Sequence, residues 1–155
     1  SICGLCNVKI STGFQYKTLT YMSYGIPAIL SINAFVNTKF KKNCELSKKK
    51  IVNMLNDYKN QNKKICGYAA TSKSTTVLNY CKIGSNFIDC IYDTTKEKIG
   101  KFSPGMHIPI ISAENFTIDK PDVSYLFAWN HKKEIFKKEK NFLSQGGTWI
   151  SHVNI

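Results

Sequence analysis

A chain of 155 residues, 43% of them hydrophobic, suits one domain, or one domain plus a fragment, and can bury a real core. No run of about eighteen apolar residues occurs, which argues against a membrane-spanning helix. The first residues (Ser1, Ile2, Cys3) lack the charged-then-apolar order of a signal peptide, so a cytoplasmic protein is expected. A net charge of +12 invites nucleic acid, yet all 22 basic residues are lysine. The arginine forks that grip guanine and phosphate are missing, so no specific nucleic-acid partner is expected.

Residues 1–45 read as a smaller unit. Cys3 and Cys6 have the spacing of half a zinc site, but no second pair matches them and His107, His131 and His152 lie far away. No metal is expected. Residues 14–24 place Tyr16, Leu19 and Met22 at helical spacing, Gly25 stops that segment, and residues 26–31 read as a short buried strand. Residues 37–50 are lysine-rich and polar, as a junction would be. Ser47 then caps an expected helix with Ile51, Val52, Leu55 and Tyr58 on one stripe.

The next stretch organises the rest. Residues 65–70 are a short apolar run, followed by small hydroxylated residues and an amphipathic segment that buries Val77, Leu78 and Cys81. Gly84 is the expected C-cap, and a second apolar run, 87–92, ends in Asp93. Strand, turn, helix, strand and carboxylate make a β-α-β unit of about thirty residues. Cys66, Cys81 and Cys90 fall on its apolar faces, where reduced thiols act as small hydrophobes. Unpaired N–H groups at such a helix start attract phosphate. Lys73 in the first turn opposes the helix dipole, a penalty that a bound phosphate would reverse. The competing reading is a plain solvated helix start in a lysine-rich chain.

Beyond it, Pro104-Gly105 marks a turn, and residues 108–111 make a short strand at an edge because of Pro109. Residues 123–128 are another buried run. Asn130 is the expected cap of a helix over 131–145, with Ile135, Phe136 and Leu143 inward; Gly146-Gly147 ends it before a last strand, 148–153. Alternating strands and helices imply parallel pairing. The expected architecture is α/β: a Rossmann-like three-layer domain with a mainly parallel sheet over 46–155, plus a small β-α-β-like fragment over 1–45. Open parallel sheets bind ligands beyond the carboxyl ends of their strands. Four polar clusters are expected to converge there: residues 72–75, Asp93, the loop 104–107, and Trp129 with Asn130. Each also reads as a simple turn or cap.

Two resemblances add to this. Gly13-Phe14-Gln15-Tyr16-Lys17, Met22 and Gly25-Ile26-Pro27-Ala28-Ile29 resemble the donor-side segment of GT-B glycosyltransferases, although Thr20 stands where that family carries a glutamate. The rest of such an enzyme is missing, which implies a fragment that packs structurally. A longer series is Gly67-Tyr68-Ala69-Ala70-x-x-Lys73, Leu78-Asn79-Tyr80-Cys81, Asp93, Lys98-x-Gly100-Lys101, Pro104-Gly105-x-His107-Ile108-Pro109, Pro121-Asp122, Ala128-Trp129-Asn130, Glu134-Ile135 and Gly146-Gly147. It resembles, over roughly 48–155, the C-terminal domain of SAM-dependent sugar C-methyltransferases. That resemblance implies a Rossmann-like domain that helps hold a nucleotide-linked deoxysugar in cell-surface carbohydrate biosynthesis. The implied contacts are Tyr68, Ser72, Lys73, Ser74, Thr75, Asp93, His107 and Asn130, with Ser72, Lys73 and Thr75 toward phosphate. Ala69 and Ser74 stand where the family usually has glycine. Nothing in the chain reads as a SAM-binding domain, so no cofactor is expected here; SAM belongs to a partner domain or subunit, and the domain alone is expected to transfer no methyl group. Two alternatives remain. One is a dinucleotide-binding oxidoreductase module, against which the missing Gly-x-Gly-x-x-Gly turn argues. The other is an inactive remnant acting in protein interaction.

Overall fold

Neither proline nor glycine interrupts the chain between Thr38 and Asn60, and these residues form one helix, α1 (Thr38–Asn60). The computed structural model describes residues 4–6, 28–30 and 38–153. Ser47 lies inside α1 instead of capping it, because lysine, glutamate and leucine before it are all good helix formers. The polar stretch expected to be a junction is therefore helical. The chain divides into two units, Ser1–Leu46 and Ser47–Ile155. In the first, β1 (Gly4–Cys6) pairs in parallel with β2 (Ala28–Leu30), Leu5 opposite Ile29. The helix expected over 14–24 lies outside the described residues.

The second unit carries β3 (Ile65–Tyr68), β4 (Ile91–Asp93), β5 (Ile110–Ser112), β6 (Val123–Leu126) and β7 (Thr148–Ile150). They form a wholly parallel sheet in the order β5-β4-β3-β6-β7. This is the order of a doubly wound Rossmann half plus two strands, with β5 at an edge as Pro109 implied. Gly67 pairs with Ile91 on one side and Tyr125 on the other.

Strands buried on both faces still sort their side chains by alternation. Ile65, Ile91, Ile110, Val123, Tyr125 and Ile150 pack with Ile51 and Leu55 of α1 and with Leu78 and Cys81 of α2 (Ser72–Cys81). The other face carries Cys66, Tyr68, Tyr92 and Leu126 against Phe116 and Phe142. It is covered by α3 (Phe116–Asp119), α4 (Lys132–Lys138) and α5 (Asn141–Ser144). The result is three layers. Phe116 is the hub of the second layer, 5.1 Å edge-on to both Tyr68 and Tyr92 and 4.9 Å from Phe142. Both tyrosines place their hydroxyls on carboxylates of this layer. Tyr68 donates to Glu139 Oε1 at 2.7 Å and Tyr92 to Asp119 Oδ2 at 2.9 Å. Burial pushes both phenols well above their ordinary range, helped by Glu139 at Tyr68 and by Cys66, Cys90 and Asp119 at Tyr92.

That anchoring explains one departure. The helix expected over 131–145 breaks into α4 and α5 because Glu139 turns inward to receive Tyr68. Asn130 caps nothing: it sits in a 3-10 turn, Trp129–His131, before α4. A second departure is the end of α2. The helix stops at Cys81, and Lys82 takes the left-handed conformation (φ 59°), donating its N–H to Leu78 O. Gly84 lies beyond this turn. A non-glycine residue there is strained, so Lys82→Gly is expected to raise stability by about 0.5–1 kcal/mol in urea denaturation. No helix among the described residues is long and apolar enough to cross a membrane.

Candidate functional site at the strand-order switch

The connections from β3 and β6 leave toward opposite faces of the sheet, α2 on one and α4 on the other. Their carboxyl ends therefore flank the crevice in which open α/β sheets bind ligands. Pairing of the two strands continues past β6, with Phe127 N–H donating to Tyr68 O at 3.1 Å. Ala69 then turns left-handed (φ 71°), and its N–H bonds Tyr92 O at 2.7 Å. This reversal delivers Thr71 to the start of α2. Thr71 and Ser74 close a capping box: Ser74 N–H reaches Thr71 Oγ1 at 3.3 Å and Thr71 N–H reaches Ser74 Oγ at 3.0 Å. The amides of Ser72 and Lys73 are the ones such a helix start leaves open.

Across the crevice stands Trp129, 38% exposed. The Lys73 ammonium lies 6.0 Å from its ring centroid, at the reach of a cation–π contact. Beside the indole, Trp129, Asn130, Lys132, Lys133 and Glu134 line an open hollow of about 420 Å³. Lys73 thus stands on one wall of the crevice, while Lys132, Lys133 and Glu134 line the hollow beside the other. A smaller cleft of about 140 Å³, lined by Lys120, Asp122, Glu139 and Gln145, lies at the amino ends of β6 and β7, away from this site.

Asp93, at the carboxyl end of β4, is buried. Its Oδ2 accepts the Ala70 N–H at 2.7 Å and its Oδ1 the Thr95 N–H at 2.7 Å. Lys98 Nζ lies 3.4 Å from Oδ2 and donates to Ala70 O at 2.7 Å. Burial alone would raise this carboxyl, but the hydrogen bonds from Thr95 and Ala70 and the charge of Lys98 outweigh it and hold it below the usual range.

The family C-methyltransferase C-terminal domain matches residues 31–154. The chain belongs to that family. It is also 42% identical over 88 residues to the C-methyltransferase NovU of Streptomyces niveus, which covers 57% of this chain and 21% of the relative. It therefore spans only about a fifth of that curated relative's length. The family match takes in residues 31–45, part of the smaller unit that also carries the glycosyltransferase-like motif. That second likeness gains no support, and most of it falls outside the described residues.

Within this C-methyltransferase C-terminal domain, the residues singled out from sequence divide into three groups. Ser72, Lys73 and Thr75 on α2, with Asn130 opposite, share the switch-point end of the sheet. Ser74 and Thr75 turn their hydroxyls back on Thr71 O, at 2.6 and 3.4 Å. Tyr68 and Asp93 are buried, their polar atoms engaged with Glu139 and with Ala70 and Thr95. His107 is at the other end of the sheet, so the expected convergence of all four clusters does not occur. The reason is a reversal before β5: Gly100 N–H bonds Ile110 O and Phe102 pairs antiparallel with Pro109, which carries the turn to the strands' amino ends. Asn79, near the end of α2, donates to Pro104 O at 2.9 Å, and His107 Nδ1 lies 3.1 Å from Gly105 O. Sequence reasoning missed Thr71 and Lys98. The Thr71-x-x-Ser74 spacing of a capping box signalled the first; the second stands in the Lys98-x-Gly100-Lys101 motif, which gave it no role. Among the described residues no group of histidine, cysteine, aspartate and glutamate is arranged to hold a metal.

Proposed function

We propose that this domain holds a nucleotide-activated deoxysugar for carbon methylation by a SAM-binding domain or subunit, as part of carbohydrate biosynthesis. Its phosphates sit on the first turn of α2, bound by the open amides of Ser72 and Lys73 and by the Lys73 ammonium, with the Ser72 and Thr75 hydroxyls nearby. Asn130 lies on the opposite wall, and Asp93 serves the site through Ala70. The observation that carries this reading is Lys73 and Trp129 facing one another across the strand-order switch. A lysine in a first helical turn is locally unfavourable, and an anion there turns the cost into a charge-assisted contact. The relative's name supplies the reaction class only.

The strand order is shared with dinucleotide-binding domains, so a thermal-shift series should compare several nucleotide-sugars, SAM and NADH. A rise in midpoint with nucleotide-sugars alone is expected; a rise with NADH alone would favour an oxidoreductase module, and no rise with any of them an interaction domain. Lys73→Ala is expected to weaken nucleotide-sugar binding roughly ten- to a hundredfold by calorimetric titration, as loss of a hydrogen bond to a charged group implies. Equal affinity would remove the phosphate assignment.

A further inference from the structure

We propose that Lys98 is a positioning residue of the α2 turn, fixing the peptide that carries the capping box while cancelling the Asp93 charge beside the anion. This rests on the reading of that turn as an anion site. Lys98 lies on the connection after β4, and its ammonium donates to Ala70 O at 2.7 Å. In a trans peptide the C=O and N–H point in opposite directions. Pulling Ala70 O toward Lys98 therefore aims the Thr71 N–H away from it, onto Ser74 Oγ. The preceding peptide is held as well, since its Ala70 N–H is bound by Asp93 Oδ2. Two successive peptides are gripped, one by a carboxylate and the other by an ammonium. Their orientation sets the direction in which the amides of Ser72 and Lys73 emerge.

Charge gives Lys98 its second duty. Asp93 is 5% exposed, and a buried carboxylate at this end of the sheet repels any phosphate placed on α2. Lys98 Nζ, 3.4 Å from it, makes the pair neutral as seen from the crevice. Neither duty falls to Lys73, which faces Trp129 instead. The Lys98 side chain is 40% exposed, so shortening it opens no core cavity.

The two duties can be told apart with UDP and dTDP as calorimetric probes. Lys98→Gln keeps a donor but removes the charge, and it should weaken binding roughly five- to thirtyfold, the repulsion of one uncompensated charge in a partly solvated site. Lys98→Arg should bind within about threefold of the wild type. The double variant Asp93→Asn with Lys98→Gln removes both charges and should regain most of the affinity lost by Lys98→Gln, although its melting point is no higher. A purely structural lysine would show the opposite, the double variant binding no better than the single one. That result, or wild-type affinity in Lys98→Gln, overturns the proposal. If Lys98→Gln fails to fold, the other two variants decide: wild-type-like binding by the double variant supports the proposal, and weak binding by Lys98→Arg and the double variant alike overturns it. If the wild type binds neither probe, the anion reading itself fails and takes this inference with it.

Discussion

Gly67→Val is expected to lower the stability of the sheet domain by about 2–3 kcal/mol, near the upper end of the usual cost of overpacking. In a domain of this size that corresponds to roughly 9–13 °C in the thermal midpoint. Gly67 is on the central strand, and a Cβ there would stand 2.7 Å from Phe127 Cε2 and 3.1 Å from Ile91 Cγ1. Neither neighbour can yield: both are fully buried, and the Phe127 ring is stacked 4.4 Å from Tyr125. The missing side chain is what lets the Phe127 ring cross β3 just before the chain enters the Trp129 turn. The damage should therefore spread to the crevice. Gly67→Ala offers the graded control, with a smaller loss from the same contact. An unchanged midpoint in Gly67→Val would mean that the ring has another place to go.

Asp93→Ala should cost about 2–4 kcal/mol, since it leaves the Ala70 and Thr95 N–H groups unsatisfied and Lys98 without its counter-charge. Because native proteins hold only about 5–15 kcal/mol in reserve, a change of this size is visible in urea denaturation. The same carboxylate gives the domain an acid limit. Its folded pKa is below the reference value of 3.8, so its contribution is complete above that value and fades as pH falls toward the folded pKa. Denaturation midpoints measured at stepwise lower pH should show this loss in the wild type. Asp93→Asn should lack that component, starting lower and declining less.

The β-α-β core was legible because its signals are local. Ile65 through Ala70 are short and apolar, Val77, Leu78 and Cys81 recur at helical spacing, and the hydroxylated turn between them contains its own cap. A mainly parallel sheet followed from alternation of elements, and Pro109 marked the edge strand; the sheet is in fact wholly parallel. What escaped was decided by distant partners. Glu139 breaks the last long helix to meet Tyr68, seventy-one positions away in the chain. The β5 reversal takes His107 to the far end of the sheet through backbone pairing that no motif encodes. Asp93 reads as an exposed ligand carboxylate in a linear chain, yet the fold encloses it with two amides and an ammonium. The start of α1 was missed for a different reason: lysine-rich sequence satisfies a helix as readily as a linker, and only the apolar stripe from Ile51 onward announces it.

The chain contains two tryptophans, and the fold gives them different surroundings. Trp149 lies within 4.8–5.6 Å of the rings of Phe142, Phe136, Tyr68 and Phe116. Trp129 stands partly in water beside an ammonium group. Their fluorescence should separate accordingly, a blue-shifted emitter tracking whether the fold is intact and a redder, quenchable one sensing events at the crevice mouth. The molecule thus contains its own pair of optical probes, one for integrity and one for occupancy.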